Sequence, residues 1–274
     1  MTMRVCVTAD DYGLDDAVDA GVASLAAAGR VDAVSVMVHP DAALAGAGRL
    51  ASTAVATGLH LVFVGERPLR ADRLAAALDA DGRLPGHYAA LFALLLRRPQ
   101  LLPRIVEEAH AQADRFLGLG LRLDFLNSHQ HVHQFPLLWR ALSGVFRRFP
   151  GAAVRCARTG APGLSRQGAL NLAARLSWRA WPLPGTRTLD GVGVDFAGRA
   201  DLPAVARALE ELGRRRVRED VVHELIFHPG LGAPSRDAHR RWGYRWREEH
   251  ALLASDALAD VFARRGVRRV RPLA

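Results

Sequence analysis

The sequence predicts an α/β chain of seven or eight parallel strands joined by helical crossovers. Short valine-rich apolar runs alternate with amphipathic stretches at helical spacing. The unusual polar residues, meanwhile, gather at the C-terminal ends of the strands. A chain of 274 residues fits one large α/β domain, residues 1–274, and no charged linker, low-complexity tract or repeat divides it. The alternation alone does not separate a closed barrel from an open doubly wound sheet.

The elements follow in order. Residues 4–8 are an apolar run and form the first strand. Residues 15–28 make an amphipathic helix that stops at Gly29, a residue type suited to helix ends. Residues 31–38 alternate and are rich in valine, the second strand, and 41–54 are helical. The third strand, 57–63, contains Gly58-Leu59-His60-Leu61. A loop with Pro68, Asp81-Gly82 and Pro85-Gly86 carries turn chemistry. Helices at 87–97 and 99–117 precede a strand at 121–127. Residues 136–149 are helical, 153–156 a short strand and 165–181 a further helix. Beyond a break at 182–185, residues 187–194 form a strand and 202–215 a helix. A buried strand at 221–227, a helix at 246–265 and a short strand at 267–270 close the chain.

Composition excludes several classes. With 50% hydrophobic and 24% charged residues the chain is not a disordered one. Its longest apolar stretch, near 89–96, is too short to cross a bilayer. The opening residues read as a strand rather than a secretory signal, and Cys6 and Cys156 cannot form a disulfide framework. A reducing cytoplasm is the expectation. The net charge is +9, and all 37 basic residues are arginine, which points to a coding bias. They are spread along the chain, with denser runs at 214–216 and 264–271, so no nucleic-acid partner is expected. Solvated helix faces account for most of them, and a patch for anionic lipid or phosphate is the alternative.

The chemistry is concentrated on one topological face. Asp10-Asp11 ends the first strand, His60 the third, His129-Gln130-His131-Val132-His133 follows the fourth, and His228-Pro229-Gly230 ends the seventh. In a parallel barrel those ends form one rim, where groups distant in sequence meet. Adjacent carboxylates can supply a metal ligand and a general base, although Asp-Asp-Tyr-Gly is also good turn material. His60 lies in an apolar strand, as either a core histidine or a ligand. If 129–133 is extended, all three histidines share a face; if helical, His129 and His133 do. Either arrangement could present two nitrogens to one metal. His228, delivered into a Pro-Gly turn, suits a rigid general acid, and His39 could line the same rim. No phosphate-binding glycine loop, serine elbow at 160–163 or cysteine nucleophile is present, and H-E-x-x-H is absent. His87, His110, His223, His239 and His250 read as surface or packing residues.

Together, Thr8-Ala9-Asp10-Asp11-Tyr12-Gly13, Gly58-Leu59-His60-Leu61, Asn127-Ser128-His129-Gln130-His131-Val132-His133 and Phe227-His228-Pro229-Gly230 resemble the YdjC-like carbohydrate deacetylases. That family includes chitooligosaccharide deacetylases and hopanoid-biosynthesis-associated deacetylases. The resemblance implies an irregular TIM-like (β/α) barrel of about seven parallel strands. It also implies one divalent metal, magnesium or zinc, on Asp11, His60 and His129, with Asp10 as base and His228 as acid. His131 and His133 would shape the substrate pocket or orient ligands, and Arg155 would hold an aspartate ionised by charge pairing. Many members have Asp-Ser-His where this chain has Asn127-Ser128-His129, as hopanoid-associated members do, which turns the expected substrate towards a glycosylated lipid. An N-acetylated amino sugar, free or lipid-linked, is the implied substrate. Peripheral membrane contact and a homodimer stay open. Two other functions compete: a different metal-dependent hydrolase, amidohydrolase or phosphoesterase, on the same barrel, and a noncatalytic carbohydrate- or lipid-binding protein. The latter would use the arginines and Trp178, Trp181, Trp242 and Trp246, of which Trp242-Gly243-Tyr244-Arg245-Trp246 forms a cluster.

Overall fold

The computed structural model describes residues 2–42, 44–158, 162–214 and 221–273. Its strands are β1 (Met3–Tyr12), β2 (Ala33–Val36), β3 (Ala56–Leu61), β4 (Phe125–Ser128), β5 (Ala153–Arg155), β6 (Thr188–Val192), β7 (Val222–Phe227) and β8 (Val267–Arg269). The first seven pair in sequence order, all parallel, and β1 pairs with both β2 and β7, so the sheet closes into a barrel. Helices wrap it, each burying the stripe that its spacing dictates. Leu102–Leu117, for example, buries Ile105, Ala109, Ala113 and Phe116. No helix among the described residues is long and apolar enough to cross a membrane.

The closure is irregular at one seam. β8 pairs with the start of β1, Met3 to Val5, and β2 pairs with it only from Thr8 onward. Asp32 marks the handover. Its amide donates to the Val7 carbonyl (2.8 Å), while its carboxylate accepts from the Val7 amide (2.9 Å) and the Arg269 guanidinium (3.0 and 3.2 Å). β8 thus satisfies backbone groups of β1 that β2 does not reach.

Inside the barrel, Cys6, Ala33, Ala56, Phe125, Ala153, Leu189 and Val222, one residue from each strand of the ring, form an apolar layer with Val270. Three alanines leave room for the Phe125 ring. Gly58 is required beside it, since a Cβ there would lie 2.5 Å from that ring. The next interior positions, Thr8, Ser35, Asn127, Arg155 and Glu224, are polar and bond across the barrel.

Several elements differ from expectation. The helix at 41–54 shrinks to Leu44–Gly46 and Ala47–Ala51, where Gly46 and Gly48 weaken helix propensity. The closing helix splits into Trp246–Ala254 and Asp256–Arg264 at Ser255, whose extended backbone (ψ 148°) and following acidic residue start a new helix. β1 runs on to Tyr12. Residue 215 of the helix at 202–215, part of the arginine run 214–216, and part of the 160–163 segment lie outside the described residues.

Candidate metal centre

β1 delivers Asp10 and Asp11 to the mouth of the barrel. Regular alternation would send adjacent side chains to opposite faces. Asp11 instead takes a left-handed conformation (φ 68°), and the β1–β2 register slips between Ala9 and Tyr12. This bulge turns both carboxylates into the site. Asp11 Oδ1 lies 3.2 Å from His60 Nε2 and 3.0 Å from His129 Nδ1. Its Oδ2 is buried without a hydrogen-bond partner, 3.9 Å from His228 Nε2.

The chain after β4 is neither extended nor regularly helical. Residues His129–Gln134 form a 3-10 turn in which Gln130 (φ 52°) and His131 (φ 55°) are left-handed. Each such non-glycine residue costs about 1–3 kcal/mol and persists only when its surroundings hold it. The Gln130 side chain does so, accepting from the Tyr88 amide (2.8 Å) and donating to the Gly86 carbonyl (3.3 Å). In consequence the three histidines diverge, and the expectation that two of them face one metal is corrected. His129 alone among them bonds Asp11. His131 lines the pocket, its Nδ1 3.5 Å from Arg155. His133 is fully buried beneath, with Nδ1 on the Ser128 hydroxyl (2.7 Å) and Nε2 on the Arg155 carbonyl (2.9 Å). Both ring nitrogens being engaged, His133 sits under the site instead of in the pocket, and burial pushes its pKa down to about 3.

Arg155, entirely buried at the end of β5, grips two carboxylates. Its Nε and NH2 donate to Glu224 (2.6 and 2.9 Å), and its NH1 and NH2 donate to Asp10 (2.7 and 2.9 Å). Burial alone would raise the Asp10 pKa, but the Arg155 charge holds it well below the usual carboxylate range. Asp11 is likewise held low against burial, chiefly by His129 and then His60. For His60, burial is outweighed by Asp10 and Asp11, which raise its pKa. At His228 burial wins over the same two carboxylates and lowers it. His228 is fixed from behind: its amide donates to buried Glu249 (2.5 Å), whose carboxyl burial pushes up to about 7.

The donor atoms of Asp11, His60 and His129 lie within 4.8 Å of one another. Two imidazoles, one carboxylate and the unpartnered Oδ2 suit a divalent cation with positions left for water or substrate. His39, Asp41 and Glu66 are similarly close, but Arg83 already pairs with both acids, and Arg236 and His239 with Glu66. That cluster ties rim loops together, and His39 is absent from the pocket lining.

The Asp11–His60–His129 cluster opens into a cavity of about 310 Å³. Asp10, His60, His129, His131 and His228 form its polar side; Tyr88, Phe135, Leu170, Trp242 and Tyr244 form apolar walls. Trp242 packs 5.0 Å from the His129 ring and Tyr244 4.9 Å from His228. Of the remaining histidines, His87 caps the helix Tyr88–Arg97 at the pocket, and His223 is buried against Asp190 (2.9 Å). Sequence reasoning missed Glu224, Ser35 and Phe135. Glu224 left a usable signal, since a glutamate inside a fully buried strand needs a cationic partner.

Residues 4–264 match the family model described as YdjC-like protein. A Mus musculus protein named carbohydrate deacetylase is 31% identical over 246 residues, covering 83% of this chain and 78% of that one. A Vibrio cholerae serotype O1 protein of the same name is 33% identical over 150 residues, 54% of this chain and 56% of its own. An Enterococcus faecalis V583 crystal structure, named for cellobiose-phosphate cleavage, shares the fold with a TM-score of 0.73 at 18% identity, over 99% of this chain and 98% of that one. Matched from the first strand to the last helix, the chain belongs to the YdjC-like protein family.

Proposed function

We propose that the chain is a metal-dependent carbohydrate N-deacetylase, a cytoplasmic enzyme of one domain acting on an N-acetylated amino sugar. Its substrate is an N-acetylglucosamine-type oligosaccharide or a glycosylated hopanoid lipid; membrane contact goes with the lipid form, and a homodimer with the family. The observation that carries the reading is the convergence of Asp11, His60 and His129, with Asp10 and His228 lining the same open cavity. The name shared by the relatives supports the reaction class.

Asp11, His60 and His129 would hold the metal, magnesium or zinc. When bound, such an ion polarises an amide carbonyl and acidifies a coordinated water. Asp10 would accept a proton from the attacking water. Paired with Arg155 it rests ionised at neutral pH but is weakly basic, so the water it deprotonates must already be acidified. His228 would protonate the departing nitrogen, without which an amide leaves poorly; burial lowers its pKa despite Asp10 and Asp11, which makes its proton easier to give up. Trp242 and Tyr244 would flank the sugar, with His131 on the polar side.

The test is acetate release from a panel running from N-acetylglucosamine through chitobiose to a lipid-linked glycoside, with added divalent metal and with chelator. Chelator-sensitive release, lost in His60→Ala and His129→Ala together with metal binding, is expected. Phosphate release from phosphoesters without acetate release would favour a different hydrolysis, and full activity of either alanine variant would overturn the ligand assignment.

A further inference from the structure

Behind the metal ligands sits a side chain with no ionisable group and two chemically different ends. One end of the Asn127 amide lies 2.6 Å from His60 Nδ1; the other lies 2.8 Å from the Ser35 hydroxyl and 2.8 Å from Arg155 NH2. All of these groups are buried. We infer that the Asn127 amide is a two-position coupler: it turns over when a divalent cation loads onto His60, and in turning it passes the Ser35 hydroxyl to Asp10. The inference rests on the metal-binding reading above.

The two positions follow from donor and acceptor chemistry. Arg155 can only donate, so the amide end facing it is the oxygen when no metal competes. That oxygen then accepts from Arg155 and Ser35, and the amide nitrogen donates to His60 Nδ1. His60 must therefore carry its single proton on Nε2, where Asp11 Oδ1 stands 3.2 Å away to accept it. Coordination through Nε2 requires that nitrogen bare, so the proton moves to Nδ1 and needs an acceptor. Among the described residues the side-chain atom hydrogen-bonded to it is the Asn127 amide end at 2.6 Å, which must now be the oxygen. The amide nitrogen swings to Ser35 Oγ, and the Ser35 hydroxyl donates to Asp10 Oδ1 at 2.6 Å. No proton is gained or lost by the ring. What changes is that amide N–H now faces Arg155 N–H, a buried donor–donor contact that coordination must outweigh. Asparagine thus weakens the metal site while linking its occupancy to the hydrogen bonding of Asp10. A carboxylate at position 127 has oxygens at both ends and meets no such conflict.

The experiment reads the His60 ring by ¹⁵N–¹H correlation in metal-free protein at alkaline pH, where the imidazole is neutral, and again with Zn²⁺. The proton is expected on Nε2 without metal and on Nδ1 with it. The metal-free reading stands or falls whatever the substrate. In parallel, Asn127→Asp should bind Zn²⁺ roughly ten- to a hundredfold more tightly in a chelator-competition titration. Ser35→Ala, which touches no ligand but removes the acceptor of the turned amide, should bind it more weakly. A proton already on Nδ1 in the metal-free protein overturns the inference. So does Zn²⁺ affinity within twofold of the parent in both variants.

Discussion

Two interior layers of the same barrel, equally buried, have opposite characters. The lower, built from Cys6, Ala33, Ala56, Phe125, Ala153, Leu189 and Val222, is wholly apolar. The upper holds Asp10, Ser35, Asn127, Arg155 and Glu224, none of them more than 1% exposed. Apolar packing at the second layer would be at least as stabilising as an ion network, because desolvating charges costs about as much as pairing them returns. The lower layer therefore shows what closes the barrel, and the upper one what the fold tolerates in order to hold carboxylates ionised beside a substrate cavity. The contrast predicts where mutations cost folding alone and where they cost chemistry.

The largest effect is expected at Arg155. Arg155→Met strands Asp10 and Glu224 as unpaired buried charges, which should cost about 3–5 kcal/mol in denaturant unfolding and abolish activity. Phe125→Ala should cost a similar 3–5 kcal/mol through its cavity, yet its folded fraction should keep the parent kcat. Equal activity loss per folded molecule in the two variants would erase the distinction between layers.

Asp10→Asn comes next. It should lower kcat by about 10²- to 10⁴-fold, the usual worth of a positioned base. It should unfold more easily than the parent but less so than Arg155→Met, since Glu224 still pairs the guanidinium. An Asp10→Asn enzyme with parental kcat would remove Asp10 from the reaction.

How much of this contrast was legible in the sequence depends on what fixes each residue. Strand order, helix positions and the gathering of Asp10, Asp11, His60, His129 and His228 at one rim follow from periodicity and connection rules, which act locally along the chain. Closure of the barrel was legible through the motif resemblance but not in the periodicity, because it depends on β7 reaching back to β1 and on β8 filling the seam beside Asp32, pairings that leave no periodic trace. The fate of 129–133 was not legible either. Histidine spacing offers an extended or helical face, and the left-handed pair Gln130-His131, held by contacts from residues 86 and 88, takes neither. Asp11 escaped the alternation rule through its bulge. Glu224 could have been found as a charge stranded in a buried strand; Asn127 was marked only by the motif it sits in, and Ser35, small and uncharged, gives no warning.

The layers should also differ in their response to pH. In the lower one, burial pushes the Cys6 thiol well above its ordinary value, so it stays neutral through the neutral range. At the active end, Glu249 rises from 4.5 to about 7 and Asp19 from 3.8 to about 7, both through burial. A carboxyl whose folded pKa is raised gives its full stability below its unfolded pKa and loses it as pH climbs through the folded one. These two carboxyls should therefore draw stability down between pH 4.5 and 7, Glu249 by about 3 kcal/mol, while His133 and His228, whose pKa values burial lowers, add stability as pH rises through the same range. Asp10 and Asp11, with lowered pKa values, act oppositely, their contribution being lost only as pH falls below the ordinary carboxylate range. Thermal unfolding of Glu249→Gln against pH should lack this downward share, so its stability falls less, or rises more, than the parent's across that window. An unchanged slope would mean that the carboxyl is ionised with its three backbone donors compensating burial.

The smallest effect belongs to the wall of the cavity, where the polar layer meets solvent. Trp242 is half-buried, its ring 5.0 Å from His129 and 4.9 Å from His239, so it could act either on the sugar or on the ligand behind it. Stacking an aromatic face on a substrate ring is worth about 0.5–1.5 kcal/mol, so Trp242→Ala should raise KM roughly three- to tenfold with kcat nearly unchanged. A Phe replacement should recover most of it. If kcat falls instead and KM holds, Trp242 works by steadying His129, and the polar layer extends one residue further towards solvent than the cavity wall suggests. Either split is informative because no residue of the lower layer can produce it: Phe125, sealed at 0% exposure, can change how much protein is folded but not how a folded molecule divides binding from turnover.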